Sequence, residues 1–244
     1  MKLFFIFLSI FLSISAVHAA GESITYRVNG KSYEGYYVSP AADAPLVLLI
    51  HDWNGLTDYE KKRAEMLAKE GYAVIAAGLF GAGIRPAEDK DKRQHTGELY
   101  RDRAKMRALM HGALDAVKTK GINTNNVVVM GYCFGGAAAL EMARSGADMK
   151  GFVSFHGGLA TPEGQGYENT RGKVMVFHGT ADTAISMEDF AQLARELETA
   201  GVPHEMISYG GAPHGFTEFD SDRYRADADS ASWNRFLEFL EETL

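Results

Sequence analysis

The sequence predicts an α/β fold, with a mostly parallel central sheet covered by helices on both faces. Two observations carry this. Short continuous apolar runs, such as residues 46–50 and 127–130, recur along the chain as strands buried on both faces do. Between them lie stretches with helical spacing of apolar residues, such as Phe190, Leu193, Ala194 and Leu197. Strands alternating with amphipathic helices bury their faces best in a parallel sheet with right-handed crossovers.

Each element follows in order. Residues 1–20 read as a signal peptide: a basic start at Lys2, an apolar run over 3–17, and the small residues Val17 and Ala19 where a signal peptidase reads. That run is short for a membrane span, and no later segment reads as one, so no stable membrane anchor is expected after cleavage. The chain is then expected to be exported, to the periplasm or outside the cell. Residues 21–244 are expected to form one domain, with no repeat, linker or low-complexity tract. Residues 24–28 and 32–38 flank Asn29-Gly30 as a hairpin. Strands are expected at 46–50, 72–77, 127–130, 150–155, 173–177 and 204–209. Thr57-x-x-Glu60 reads as a capping box ahead of a helix that places Ala64, Leu67 and Ala68 on one side. Residues 81–107 are charged and open on a glycine-rich turn, and are expected to form a long connection into a helix ending near Lys120. Trp233, Phe236, Leu237 and Leu240 mark the last helix.

Composition narrows the partners. Of the 244 residues 46% are hydrophobic and 23% charged, a soluble globular balance. A formal net charge of −7 disfavours a nucleic-acid backbone as partner and leaves a small molecule. The chain has one cysteine, Cys133, so no internal disulfide can form. A lone thiol in an exported protein is either buried and inert or kept for chemistry.

Its surroundings favour chemistry. Gly131-Tyr132-Cys133-Phe134-Gly135-Gly136 follows an apolar strand and precedes a helical stretch over 137–144. Gly-x-nucleophile-x-Gly between strand and helix is a nucleophile elbow, in which a Cβ two residues either side would clash. The elbow lifts the sulfur to the top of the sheet at a helix N-terminus, where the dipole favours a thiolate.

A nucleophile needs a base and an acid to orient it, in that chain order on such a sheet. His214 lies in a flexible loop after the last strand, where the base belongs. His156 and His178 end strands, and His204 begins one. Asp182 follows the strand at 173–177 and fits the acid, with Asp189 a weaker rival inside the next helix. The oxyanion hole calls for the N–H of Phe134 and one from the loop after strand 46–50, which makes Trp53 the candidate. His156-Gly157-Gly158 looks like an oxyanion motif but follows the nucleophile. His51, His156 and His178 fall near strand ends, yet nothing has the local spacing of a zinc site, so no metal is expected.

With these residues placed, the chain resembles the dienelactone hydrolase family of the α/β-hydrolase superfamily. The resemblance rests on the hexapeptide at 131–136, on His178-Gly179-x-x-Asp182, and on Pro213-His214-Gly215-Phe216. It implies a Cys133, Asp182, His214 triad that hydrolyses a small carboxylic ester or lactone through a thioester, with no cofactor. It also implies a carboxylate touching the resting thiol, here Asp52, and arginines for a substrate carboxylate, with Arg85, Arg93 and Arg101 in the matching connection. Glu218, shortly after the histidine, has the opposite charge to the arginine expected there, so a carboxylated dienelactone is not the expected substrate. Other readings are an acyltransferase or peptidase on the same triad, and a non-catalytic binding protein. A thiol redox protein is least favoured, because Cys-x-x-Cys is missing.

Expressed in a Gram-negative bacterium, the chain should be recovered from the periplasm or medium, shortened by about twenty residues. Intact mass spectrometry of the exported protein checks this, and a full-length mass would refute it.

Overall fold

The computed structural model describes residues 21–244; the expected signal peptide lies outside them. Eight strands form one sheet in the order β1-β2-β4-β3-β5-β6-β7-β8. They are β1 (Glu22–Val28), β2 (Lys31–Val38), β3 (Leu46–Ile50), β4 (Ala73–Ala77), β5 (Val127–Tyr132), β6 (Asp148–Phe155), β7 (Arg171–Gly179) and β8 (His204–Tyr209). β1 and β2 make the hairpin expected around Asn29-Gly30, and β2 pairs antiparallel with β4. Every pairing from β4 through β8 is parallel. The architecture is therefore the one the alternating pattern predicts.

Period-two geometry sends neighbouring residues of a strand to opposite faces. Leu46, Leu48, Ile50, Val127 and Val129 join one core cluster, and Val47, Leu49, Val128 and Met130 join the other. The first is covered by α3 (Arg103–Lys118), α4 (Phe134–Arg144) and α5 (Met187–Thr199), through residues such as Met106, Leu140 and Leu193. The second is covered by α1 (Asp58–Lys69) and α6 (Ala226–Thr243), through Ala64, Leu67, Trp233 and Phe236. The central strands are buried end to end, which is why their sequences read as unbroken apolar runs.

One expectation needs correcting. The connection over 81–107 holds a helix, α2 (Asp89–Arg101), before α3 begins. Its sequence hides it: only Thr96 and Leu99 are buried, and its N-cap Glu88 makes no capping hydrogen bond. A helix without an apolar stripe or a cap gives little signal in sequence.

α4 is clamped to its surroundings by charge. Glu141 is fully buried and meets Arg103 at 3.1 Å, Arg144 at 3.2 Å, and Arg107. Arg144 also donates to Gln165 and to the Tyr167 hydroxyl. Glu141→Ala would leave the buried Arg144 without a counter-charge and should cost about 3 kcal/mol, read as a lowered urea midpoint.

Candidate active site

β5 and β3 lie side by side, with Ile50 opposite Gly131. Their carboxyl ends therefore open at one place, where the sheet order runs outward in both directions. Crevices at such a point are where α/β sheets place ligands. Cys133 sits there between β5 and α4, at φ 51° and ψ −112°. That left-handed backbone is unusual for a residue with a side chain. It is held because strand and helix nearly touch. A Cβ on Gly131 would stand 2.2 Å from the Gly135 carbonyl carbon, and one on Gly135 would stand 2.2 Å from the Ile50 oxygen. The two glycines of the motif are thus required by contact, as the elbow pattern predicts.

The side chains expected to work together meet. His214 Nε2 lies 3.1 Å from Cys133 Sγ, and its Nδ1 lies 2.8 Å from Asp182 Oδ2. The other oxygen of Asp182 accepts from the N–H groups of Ala184 and Ile185, at 2.8 and 2.9 Å. Burial works against ionising Asp182, but these hydrogen bonds with His214 outweigh it and hold the carboxyl below its usual range. Burial likewise opposes a charged His214, but Asp182 and Cys133 push it up to about 10. Asp189, the rival acid, is spent elsewhere. It closes the capping box of α5 with Ser186.

Trp53 and Phe134 both line the same cavity of about 450 Å³ as Cys133 and His214. Among the described residues neither backbone N–H has a protein acceptor. Free backbone donors on residues that line the cavity with Cys133 could receive a developing oxyanion.

Asp52 departs from expectation. It lines the cavity but makes no hydrogen bond to Cys133. Its carboxylate is held by the backbone N–H of Asn54 at 2.6 Å and the Asn54 side-chain amide at 2.8 Å. Its shorter side chain closes a local turn before it can reach the thiol. Burial, and then Glu60 and Glu218, raise Asp52 well above the carboxylate range. The arginines separate too. Arg93 lines the cavity, and its guanidinium meets Asp89 at 3.2 Å. Arg85 instead pairs with Glu34 at 2.9 Å, and Arg101 is exposed at the end of α2; neither lines the cavity.

Two of the strand-end histidines, His51 and His178, stay out of the cavity lining. His51 Nδ1–H donates to the Asp52 carbonyl at 2.5 Å and its Nε2 accepts from the Leu79 N–H at 3.0 Å; burial pushes it down to about 4. His178 is buried against Phe190. Among the described residues no three His, Cys, Asp or Glu side chains converge as metal ligands would.

Sequence reasoning missed several cavity residues, among them Tyr100, Ile185 and Arg223, and His156, which it had set among the strand-end histidines, lines the cavity as well. Tyr100 had a signal. It stands two turns beyond Arg93, on the same face of α2, and only the unrecognised helix hid that. Arg223, paired with Glu218, comes from an irregular loop and had none.

A sheet of this order, with a cysteine at the β5–α4 turn and an aspartate and a histidine after β7 and β8, is the α/β-hydrolase fold. The chain belongs to the dienelactone hydrolase family of hydrolases, whose model matches residues 33–244. It is 26% identical to a Synechocystis protein assigned by name as a carboxymethylenebutenolidase, over 86% of this chain and 92% of that one. It is 25% identical to a Bradyrhizobium protein assigned as a 2-oxo-3-(5-oxofuran-2-ylidene)propanoate lactonase, over 87% and 90%. Among solved structures it is similar to P91, a dienelactone hydrolase-like promiscuous phosphotriesterase from metagenomic libraries. That likeness has a TM-score of 0.86 and 27% identity, covering 93% of this chain and 99% of that one.

Behind the Trp53 loop lies a second carboxyl, Glu60, fully buried in α1. It accepts from the Thr57 N–H and hydroxyl, both at 2.8 Å, and from the Asp52 N–H at 3.4 Å. Burial outweighs these bonds and raises Glu60 to about 7. A carboxyl raised on folding contributes stability below its unfolded value that is lost as pH rises through the folded one. Glu60→Gln keeps an acceptor and has no proton to lose. The melting temperature of the variant relative to wild type should therefore rise between pH 5 and pH 8, and a constant difference would refute the assignment.

Proposed function

We propose that the protein hydrolyses small carboxylic esters or lactones through Cys133, His214 and Asp182, by way of a thioester. The carrying observation is the 3.1 Å approach of His214 to a sulfur held on a left-handed backbone. The relatives named for butenolide and lactone hydrolysis support the substrate class.

The reaction divides into two steps. His214 holds a proton and Cys133 attacks the carbonyl carbon as thiolate. The carbonyl oxygen takes the negative charge and is received by the N–H groups of Trp53 and Phe134. The tetrahedral species collapses, the C–O bond breaks, and His214 gives its proton to the leaving alkoxide. With a lactone the alcohol stays tethered to the acyl group. Water then attacks the thioester while His214 takes one of its protons. Collapse expels the thiolate and frees the acid, so one water is consumed per bond cleaved. Asp182 keeps the imidazole oriented and stabilises its charged form throughout. A thiolate leaves readily, so the scheme suits activated esters and strained lactones better than amides. Export, through removal of residues 1–20, belongs to the same proposal: the substrate is met outside the cytoplasm.

The wild-type protein should turn over a short p-nitrophenyl ester. Cys133→Ala should lower kcat/KM by roughly 10³-fold or more, the scale of losing a nucleophile. Cys133→Ser should retain only a small fraction, since a hydroxyl is a weak nucleophile in a site set for a thiol. Wild-type rates in the alanine variant would overturn the scheme.

A further inference from the structure

One buried chain of polar groups ends beside the three reacting side chains without belonging to them. His156 follows β6 at φ 40°, a left-handed conformation that residues with side chains seldom adopt. Its ring stands edge-on to His214, with centroids 5.3 Å apart, and 5.4 Å from Phe216. Its Nε2 lies 2.8 Å from the Thr217 hydroxyl, which lies 2.7 Å from the Tyr59 hydroxyl. Arg63, in α1, donates to the Tyr59 oxygen at 3.3 Å and to the Thr217 carbonyl at 2.8 Å. Asp229 of α6 pairs with the same guanidinium. Arg63 and Thr217 are fully buried, and His156 is 3% exposed.

One end of this chain is fixed by its donor. A guanidinium only donates. The Tyr59 oxygen therefore accepts from Arg63, and the Thr217 hydroxyl bridges Tyr59 and His156 Nε2. His156 is neutral where it stands, buried among these groups. Burial, and then the neighbouring His214, Arg63 and Arg223, hold it well below the usual histidine range. The titratable groups facing His214 are thus Asp182, Cys133, the neutral His156 and His178.

Thr217 lies three residues beyond His214 on the same loop. It is tied through its carbonyl to Arg63 and through its hydroxyl to two side chains. We infer that Thr217 is a positioning residue for His214, its hydroxyl fixing the loop and a neutral His156 against the imidazole. The inference rests on His214 as the proton carrier of the proposed hydrolysis.

The test reads the rate of Cys133 alkylation by iodoacetamide against pH, with kcat and KM for a short p-nitrophenyl ester. It compares wild type with Thr217→Val, Thr217→Ser and His156→Phe, each checked for folding by circular dichroism. Thr217→Val should slow alkylation at pH 7 roughly tenfold, the scale of one lost buried hydrogen bond. It should also lower kcat with KM little changed and give a rate that climbs with pH as for an ordinary thiol. Thr217→Ser should stay within about twofold of wild type, since it keeps the hydroxyl that makes the bond. His156→Phe keeps a ring without the bond and should move with Thr217→Val. Profiles of Thr217→Val that superimpose on wild type, or a Thr217→Ser loss as large, would overturn the inference. Should Thr217→Val fail to fold, an unchanged His156→Phe profile overturns it instead. Alkylation does not depend on turnover, so ester hydrolysis surviving in Cys133→Ala would sink the hydrolytic reading and leave the positioning result to stand by itself.

Discussion

The close contact of β5 with α4 governs this structure. Gly131 and Gly135 let the strand and the helix meet at a distance that no side chain permits, and Cys133 is the residue bent between them. Its amide is tied to the Phe155 carbonyl at 3.0 Å, so the turn is fixed to β6 as well. The strained turn is therefore held by its contact with α4 and by its bond to β6. With the sulfur placed at one point above the strand ends, the loops after β3, β7 and β8 have a fixed target. Each brings its own group: Trp53 from the first, Asp182 from the second, His214 from the third.

Burial alone does not decide which groups carry charge. Asp182 and Glu60 are both buried acids. Asp182 keeps its charge because a histidine and two backbone N–H groups face it, whereas Glu60 is raised to about 7 because its donors fall short of what burial removes. The histidines divide in the same way. His214 has a carboxylate on one nitrogen and a sulfur near the other, and is raised to about 10. His51 has a carbonyl and a backbone N–H, and burial carries it down to about 4. Where identical side chains are pushed apart by their surroundings, those surroundings mark the group fitted to move a proton.

Much of this was legible in the sequence, for physical reasons that differ by element. The central strands read as apolar runs because both their faces are covered. The elbow read clearly because its glycines answer a contact that only glycine allows. With Cys133 marked by the elbow, Asp182 and His214 could be placed by chain order, since each follows a parallel strand. What failed was anything set by side-chain reach or weak patterning. Asp52 stands where a thiol-contacting carboxylate was expected, but it closes a turn with Asn54. Arg85 and Arg101 share a connection with Arg93, yet only α2, which had no apolar stripe to announce it, decides that Arg93 faces the cavity. The partners of Thr217 lie far along the chain, Tyr59 by 158 residues and His156 by 61, so no local pattern could join them.

One turn of α1 connects the two loops whose geometry matters most. Glu60 reaches back to the Asp52 N–H at the start of the Trp53 loop, while Tyr59 and Arg63 reach across to Thr217 in the His214 loop. Tyr59 and Arg63 are four residues apart and so share a face, and Ala64 and Leu67 continue down the helix into the core. The helix is thus apolar along most of its inner side and polar only where it passes beneath the site. A helix chosen for burial alone would carry Leu or Val at those positions. Its buried tyrosine, glutamate and arginine instead supply the donors and acceptors that irregular loops cannot find among themselves. The start of the Trp53 loop and the loop that carries the imidazole are consequently referenced to the same rigid body.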